Sequence, residues 1–332
     1  MAPESDRPAA RPDARRIDRW VPMLCLTGVI MLVSAITPAI KYTLLHSPVD
    51  FLELASVRIV IGFLFLAGIT AWIDLRGLRA LSARHMAQLT LLGMLGAGGY
   101  PIGAWGLAYT SVTHFAIIYS LLPTFTALIS IGCKQDRANG SMISGLLLSW
   151  AGCLLAVTGS FSLAGSGLVF GDALILLFTL MMSCYLVLSP NLVKRLGVWT
   201  SNTIMFGTTS VLILAGETAR GTALHTDMSG LVVGLLFFIG TATAAVFLLR
   251  SRALQSLTPA IVGAYHNLIP ICTIGLAYLL LNESVTIFTI LGAATVVAGT
   301  ELVRRAPLVT AAERSVSDPL HPTVLSPGIM KR

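Results

Sequence analysis

Ten stretches of this sequence run for about 18 to 24 residues with almost no charged side chain. No other feature limits the possible folds as much. A helix rises 1.5 Å per residue, so about 20 apolar residues cross the roughly 30 Å hydrocarbon core of a bilayer. Inside lipid the backbone must satisfy its own hydrogen bonds, which helices do within one segment. The expected spans are 20–43, 51–72, 86–109, 113–133, 141–161, 169–189, 199–216, 230–250, 258–280 and 284–303. Only 11% of the 332 residues are charged, against about a quarter in soluble domains. The chain therefore reads as an all-α polytopic membrane protein whose first partner is the lipid bilayer.

A net charge of +7 would suggest nucleic acid in a soluble protein, but its placement points elsewhere and no nucleic-acid partner is expected. With the N-terminus in the cytoplasm, Arg7, Arg11, Arg15, Arg16 and Arg19 lie on that side. So do Arg76, Arg79, Arg84, Lys134, Arg137, Lys194, Arg195, Arg250 and Arg252 in the connections, and the five basic residues after 303. Of 22 lysines and arginines, only Arg220 falls in a loop on the other side, while Lys41 and Arg58 lie within or beside spans. The positive-inside rule then puts both termini in the cytoplasm, as in a multi-pass protein of a bacterial inner membrane. An even number of spans is required, and ten fits. No cleaved signal peptide is expected. Residues 1–18 and 306–332 are Pro-rich and polar, and read as disordered tails. Cys25, Cys133, Cys153, Cys184 and Cys272 form no CxxC pair and read as buried small hydrophobes.

The two halves of the sequence match. Shifted by 147 residues, SLLPTFTALISIGCKQDRANGSMISGLLLSWAG (120–152) meets NLIPICTIGLAYLLLNESVTIFTILGAATVVAG (267–299) without a gap. Pro123 meets Pro270, Thr126 meets Thr273 and Asp136 meets Glu283; Gly145 meets Gly292, and Gly152 meets Gly299. The expected organisation is a tail over 1–18, five-helix repeats over 19–162 and 163–305, and a tail over 306–332. Five is odd, so the second copy inserts the opposite way. An inverted repeat around a central cavity is the architecture of many secondary transporters.

Pro270 mid-span, Glu283 in the tight loop after it, and Gly292 and Gly299 beyond resemble the end of an EamA-type transporter of the drug/metabolite transporter superfamily. Pro123, Asp136, Gly145 and Gly152 repeat the pattern, and Lys41, Arg58 and Gly171–Asp172 fit it too. Residues 20–303 are covered. The sequence departs from the family pattern at Val33–Ser34, where Trp-Gly is frequent, and lacks a tryptophan in span six. The resemblance implies ten helices, a central cavity, and alternating-access export of small organic metabolites such as amino acids or amphipathic compounds. It names no particular cargo.

Polar residues inside spans need a protein or water partner. AYHNLIP (264–270) puts His266 and Asn267 just before a helix-breaking proline, and their repeat mates are Tyr119 and Ser120 before Pro123. Pro270 frees a backbone carbonyl one turn earlier, which is tolerated within protein or beside a watery cavity. His266, Asn267, Tyr119 and Ser120 are accordingly expected at the cavity, with interhelical hydrogen bonding as the alternative. An imidazole titrates near neutrality, which would let His266 carry a coupling proton. Ser34, Thr37 and Lys41 share one face of span one, and Trp105 is the aromatic in span three placed deepest. Tyr100 and Tyr109, with Ser183, Cys184 and Tyr185 in span six, are weaker candidates. Lys41, Glu53 and Arg58 form either a gate or a structural Lys41–Glu53 or Arg58–Glu53 pair. Kinks are expected at Pro38, Pro101, Pro123 and Pro270.

No catalytic constellation, metal cluster or nucleotide-binding loop occurs in the sequence, so neither enzyme activity nor a cofactor is expected. A non-transporting receptor or scaffold on the same fold is the alternative, though the short tails supply no signalling domain. Homo-oligomers are left open.

Overall fold

The structure is a computed structural model that describes residues 12–73, 81–133, 140–158, 166–220, 225, 228–257, 262, 265–266 and 268–305. The described residues are helical apart from short connections. Span one is Pro12–His46 and span two Phe51–Ile73. Span three is built from Ala83–Leu95, a 3-10 turn at Ala97–Gly99, and Tyr100–Tyr109. Span four is Val112–Tyr119 and Leu122–Gly132. Then come Gly140–Thr158, Ser166–Leu196, Val198–Arg220 and Gly230–Ser256. Span nine contains Leu268–Leu281, and span ten is Ile287–Arg305. Six of these helices are long and apolar enough to cross a bilayer, and three more are apolar but shorter. The two-piece third span completes ten passes.

Local chemistry sets the boundaries. Asp50 Oδ1 accepts from the backbone N–H of Leu52 and Glu53 and caps span two. Ser82, Ser111 and Ser229 cap later helices in the same way. Gly197, at φ 88°, turns the chain between spans six and seven in a conformation that glycine adopts without strain. Pro101 and Pro123 stand at the first positions of new helices, just after the breaks in spans three and four. There a missing N–H costs least. Span one runs unbroken through Pro22 and Pro38.

Three boundaries differ from expectation. Span six runs past 189 to Leu196 and takes in Lys194 and Arg195, both expected in a connection. Span one starts at Pro12, so residues 12–18 of the expected tail are helical. Pro12 suits a helix start and no breaker follows before Pro22. Span eight continues to Ser256, because FLLRSRALQS holds no glycine or proline. Arg250, expected in a cytoplasmic connection, is thus inside a span and 1% exposed. Residues 1–11, 306–332 and Asn267 lie outside the described residues.

The helix contacts obey the inverted repeat. Span one packs on span eight, and the mates of that pair, spans six and three, pack on each other. Spans four and six pack together, as do their mates nine and one. Spans two and seven, four and nine, and five and ten each pack on their own mate. At the five–ten crossing, Gly152 meets Gly292 and Gly299 meets Gly145, and a two-fold rotation carries the first contact onto the second. Ser149 Oγ lies 3.5 Å from the carbonyl of Val296, 147 positions away and its own repeat mate. A residue touching its own mate marks the pseudo-two-fold axis.

Candidate functional site

Between the halves lies a cavity, narrow in this closed state, to which both halves contribute side chains. Span one supplies Thr37, span two Arg58, span three Tyr100 and span four Phe115 and Tyr119. Phe178 comes from span six and Arg250 from span eight, with aliphatic side chains between them.

The aromatic wall is stacked. Tyr119 lies over Phe178 at 5.7 Å and 14°, and over Phe115 at 5.5 Å and 20°; Tyr100 tilts against Phe178 at 5.6 Å. Arg58 donates from Nε to Thr243 Oγ1 at 2.6 Å, and its guanidinium carbon sits 3.6 Å above the Tyr100 ring centre. A cation over an aromatic face, shielded from water, gains about 2 kcal/mol or more. Arg250 is held differently. Its Nη2 lies 3.1 Å from His266 Nε2 and its Nη1 3.3 Å from the Met182 sulfur, while its Nε is buried with no partner. Among the described residues, no carboxylate forms an ion pair with either arginine.

His266 is 1% exposed and stands behind the wall, in contact with Arg250 and the Tyr119 ring. Its Nδ1 lies 2.7 Å from the Val262 carbonyl, which can only accept. Nδ1 therefore donates, and Nε2 accepts from Arg250. This is the geometry of a neutral imidazole holding a guanidinium, and a second proton would have to displace that contact.

The other sequence candidates divide. Thr37, Arg58 and Tyr119 line the cavity. Ser34 is buried, its Oγ 3.5 Å from the Ile269 carbonyl, and Ser120 is buried at the break in span four. Trp105 does not line the cavity; it stacks on Phe51 at 5.2 Å and meets Phe170 edge-on at 5.3 Å.

The expected pairing of Glu53 with Lys41 or Arg58 is not formed. Lys41 Nζ donates to the carbonyls of Leu107 and Thr110 at 2.9 and 2.8 Å, where span three ends and its last carbonyls lack helical partners. Glu53 instead accepts from the backbone N–H of His225 at 2.7 Å and pairs with its ring at 2.8 Å.

This Glu53–His225 link belongs to a set at the bundle end away from the chain termini. Glu283 accepts from the N–H groups of Val112 and Thr113 at 2.8 and 2.9 Å, and from the Thr113 hydroxyl at 2.7 Å. A carboxylate thus sits on the positive N-terminus of the first helix of span four. Asp172 pairs with His114 at 3.0 Å and accepts from Thr110, and Asp50 pairs with Arg220 at 3.2 Å. Each of these links joins one half of the chain to the other. Among the described residues, no group of three His, Cys, Asp or Glu side chains could hold a metal ion.

Comparison with known proteins agrees with this architecture. The model of the EamA-like transporter family matches twice, over residues 20–158 and 169–305. An uncharacterized transporter of Archaeoglobus fulgidus is 25% identical over 230 residues, 68% of this chain and 79% of that protein. The uncharacterized transporter YyaM of Bacillus subtilis is 25% identical over 226 residues, 65% and 72% of the two chains. A protein of known crystal structure superposes with a TM-score of 0.65 over 90% of this chain and 99% of its own, at 14% identity. That likeness speaks to the fold.

Proposed function

The chain belongs to the EamA-like transporter family, and from that premise we propose that it is a secondary transporter exporting small organic metabolites by alternating access. The observation that carries this reading is the far-end closure, made of separable polar links between the two halves above a cavity at their interface. Glu53–His225, Asp50–Arg220, Asp172–His114 and Glu283 on span four each join opposite halves. Opening that end means parting these contacts, and an inverted repeat lets a central site open to either face in turn.

The distribution of basic residues supports cytoplasmic termini in a bacterial inner membrane, which makes the closed end extracellular and the structure outward-closed. Cargo would enter from the cytoplasm and leave when the far-end links part. The repeats of this carrier are taken as 19–162 and 163–305. Asn267 and Ser120 are retained as residues beside the path, with His266 holding Arg250 at its wall.

Solute counterflow in proteoliposomes is the test. Preloaded unlabelled solute should drive transient uptake of the same labelled solute, and disulfide-locking the far end through cysteines at 53 and 225 should abolish it. Unimpaired counterflow in the locked protein would sink the alternating-access reading.

A further inference from the structure

Two guanidinium groups face one buried cavity, and neither has a carboxylate partner among the described residues. A buried cation left without an anion is costly unless something else supplies the negative charge. Among the described residues, several other charged groups of the bundle have firm partners. Glu53 and Asp172 have histidines, Asp50 has Arg220, and Lys41 has two carbonyls. Arg250 has only neutral acceptors, an imidazole nitrogen, a thioether and the Tyr119 hydroxyl, and its Nε has none. Arg58 spends Nε on Thr243 and rests its plane on Tyr100. His266, through Val262, fixes Arg250 from the side away from the cavity.

We propose, resting on the transporter reading above, that the cargo is a small organic carboxylate with an apolar body, its anionic end held between Arg58 and Arg250. The body is specified by the rest of the wall. Beyond the arginines, the polar side chains there are Thr37, Tyr100 and Tyr119, whereas Phe115, Phe178 and Val246 are apolar. A polyhydroxylated sugar phosphate would leave most of its hydroxyls unpaired in this setting. An aliphatic or aromatic acid leaves none. Guanidinium groups suit a carboxylate because their planar N–H pairs match its two oxygens. The aromatic stack of Phe115, Tyr119 and Phe178 offers a flat surface to the remainder.

The full chain, purified in detergent, is tested for binding of radiolabelled phenylacetate and hexanoate against their neutral isosteres phenylacetamide and hexanamide, and against phenethylamine. The carboxylates should bind about tenfold or more tighter than their own amides. That ratio should fall to near one in Arg58→Gln and in Arg250→Gln, and recover in part in Arg58→Lys. Should Arg250→Gln fail to fold, Arg58→Gln and Arg58→Lys decide alone, because Thr243, the partner of Arg58, keeps its own bond to the Ile239 carbonyl. Equal binding of acid and amide, a preference surviving in Arg58→Gln, or no binding of either acid at millimolar concentration overturns the proposal. Counterflow separates the two readings. Passage of phenethylamine or an amide, but of neither acid, leaves a carrier and removes the carboxylate. Binding of the acids without counterflow of any solute leaves the carboxylate site and removes the carrier.

Discussion

Replacing Gly292 by alanine is a direct test of the crossing between spans five and ten. A Cβ built there lies 2.5 Å from the Ala156 Cβ, 2.6 Å from the Gly152 carbonyl oxygen and 2.7 Å from the Ala156 nitrogen. Ordinary contact begins near 3.4 Å, so the helices must part locally by about 0.9 Å. Two of those three atoms are backbone, and no side-chain rotation relieves them. Overpacking of this kind costs about 1–3 kcal/mol, and the rigid neighbours place Gly292→Ala toward the upper end. The better helix propensity of alanine returns up to about 1 kcal/mol. The net expectation is destabilisation by about 2 kcal/mol, roughly 30-fold in the folding equilibrium. Gly299→Ala, facing Ser149 N at 2.5 Å and Gly145 O at 2.6 Å, is equally crowded and should cost a similar amount. Gly275 and Gly234 have nothing within 4 Å of an added Cβ, so their alanine variants should be neutral or slightly stabilised. SDS-titrated unfolding in mixed micelles ranks the four. Gly152→Ala combined with Gly292→Ala should cost less than the sum, because both open the same gap. If Gly292→Ala unfolds at the same SDS fraction as Gly275→Ala, the packing described here is wrong.

Glu283→Gln should release the N-terminus of span four, losing about 1–2 kcal/mol of cap energy. In a cysteine-free background it should raise labelling of Thr37→Cys by membrane-impermeant maleimide from the far side about tenfold; unchanged labelling would show that Glu283 does not help to close that end. The double variant Lys41→Glu with Glu53→Lys should be no more stable than the sum of its single changes, because Lys41 meets carbonyls and Glu53 meets His225; rescue in thermal denaturation would restore the discarded pair. His266→Leu should lower stability by about 1.5–3 kcal/mol, the cost of a lost hydrogen bond to a charged group. His266→Gln, which keeps an acceptor, should lose less and leave the pH profile of transport unmoved; a displaced profile would give His266 a proton role.

The ten passes were legible because apolar length is set by bilayer thickness and not by tertiary context. The repeat was legible because Pro123, Pro270 and the four glycines are fixed by backbone needs that both halves share. Arg250 was misplaced for a physical reason. It ends an apolar run and stands two residues before Arg252, which resembles the basic flank of a span. Only the lack of any breaker before Leu257 hinted that the helix goes on. The partners of Glu53 and Glu283 were hidden because both contacts cross between the halves, 172 and 171 positions apart. No local pattern reports such pairings. Trp105 looked deep by sequence position, yet the ring of Phe51 at the start of span two draws it to the rim.

A point on a rotation axis is its own image. If the two halves trade conformations during a cycle, the Ser149–Val296 crossing keeps the same neighbours before and after, while the paired carboxylates at the far end do not. Spectroscopic rulers anchored at that crossing would therefore measure the travel of every other helix from a stationary origin.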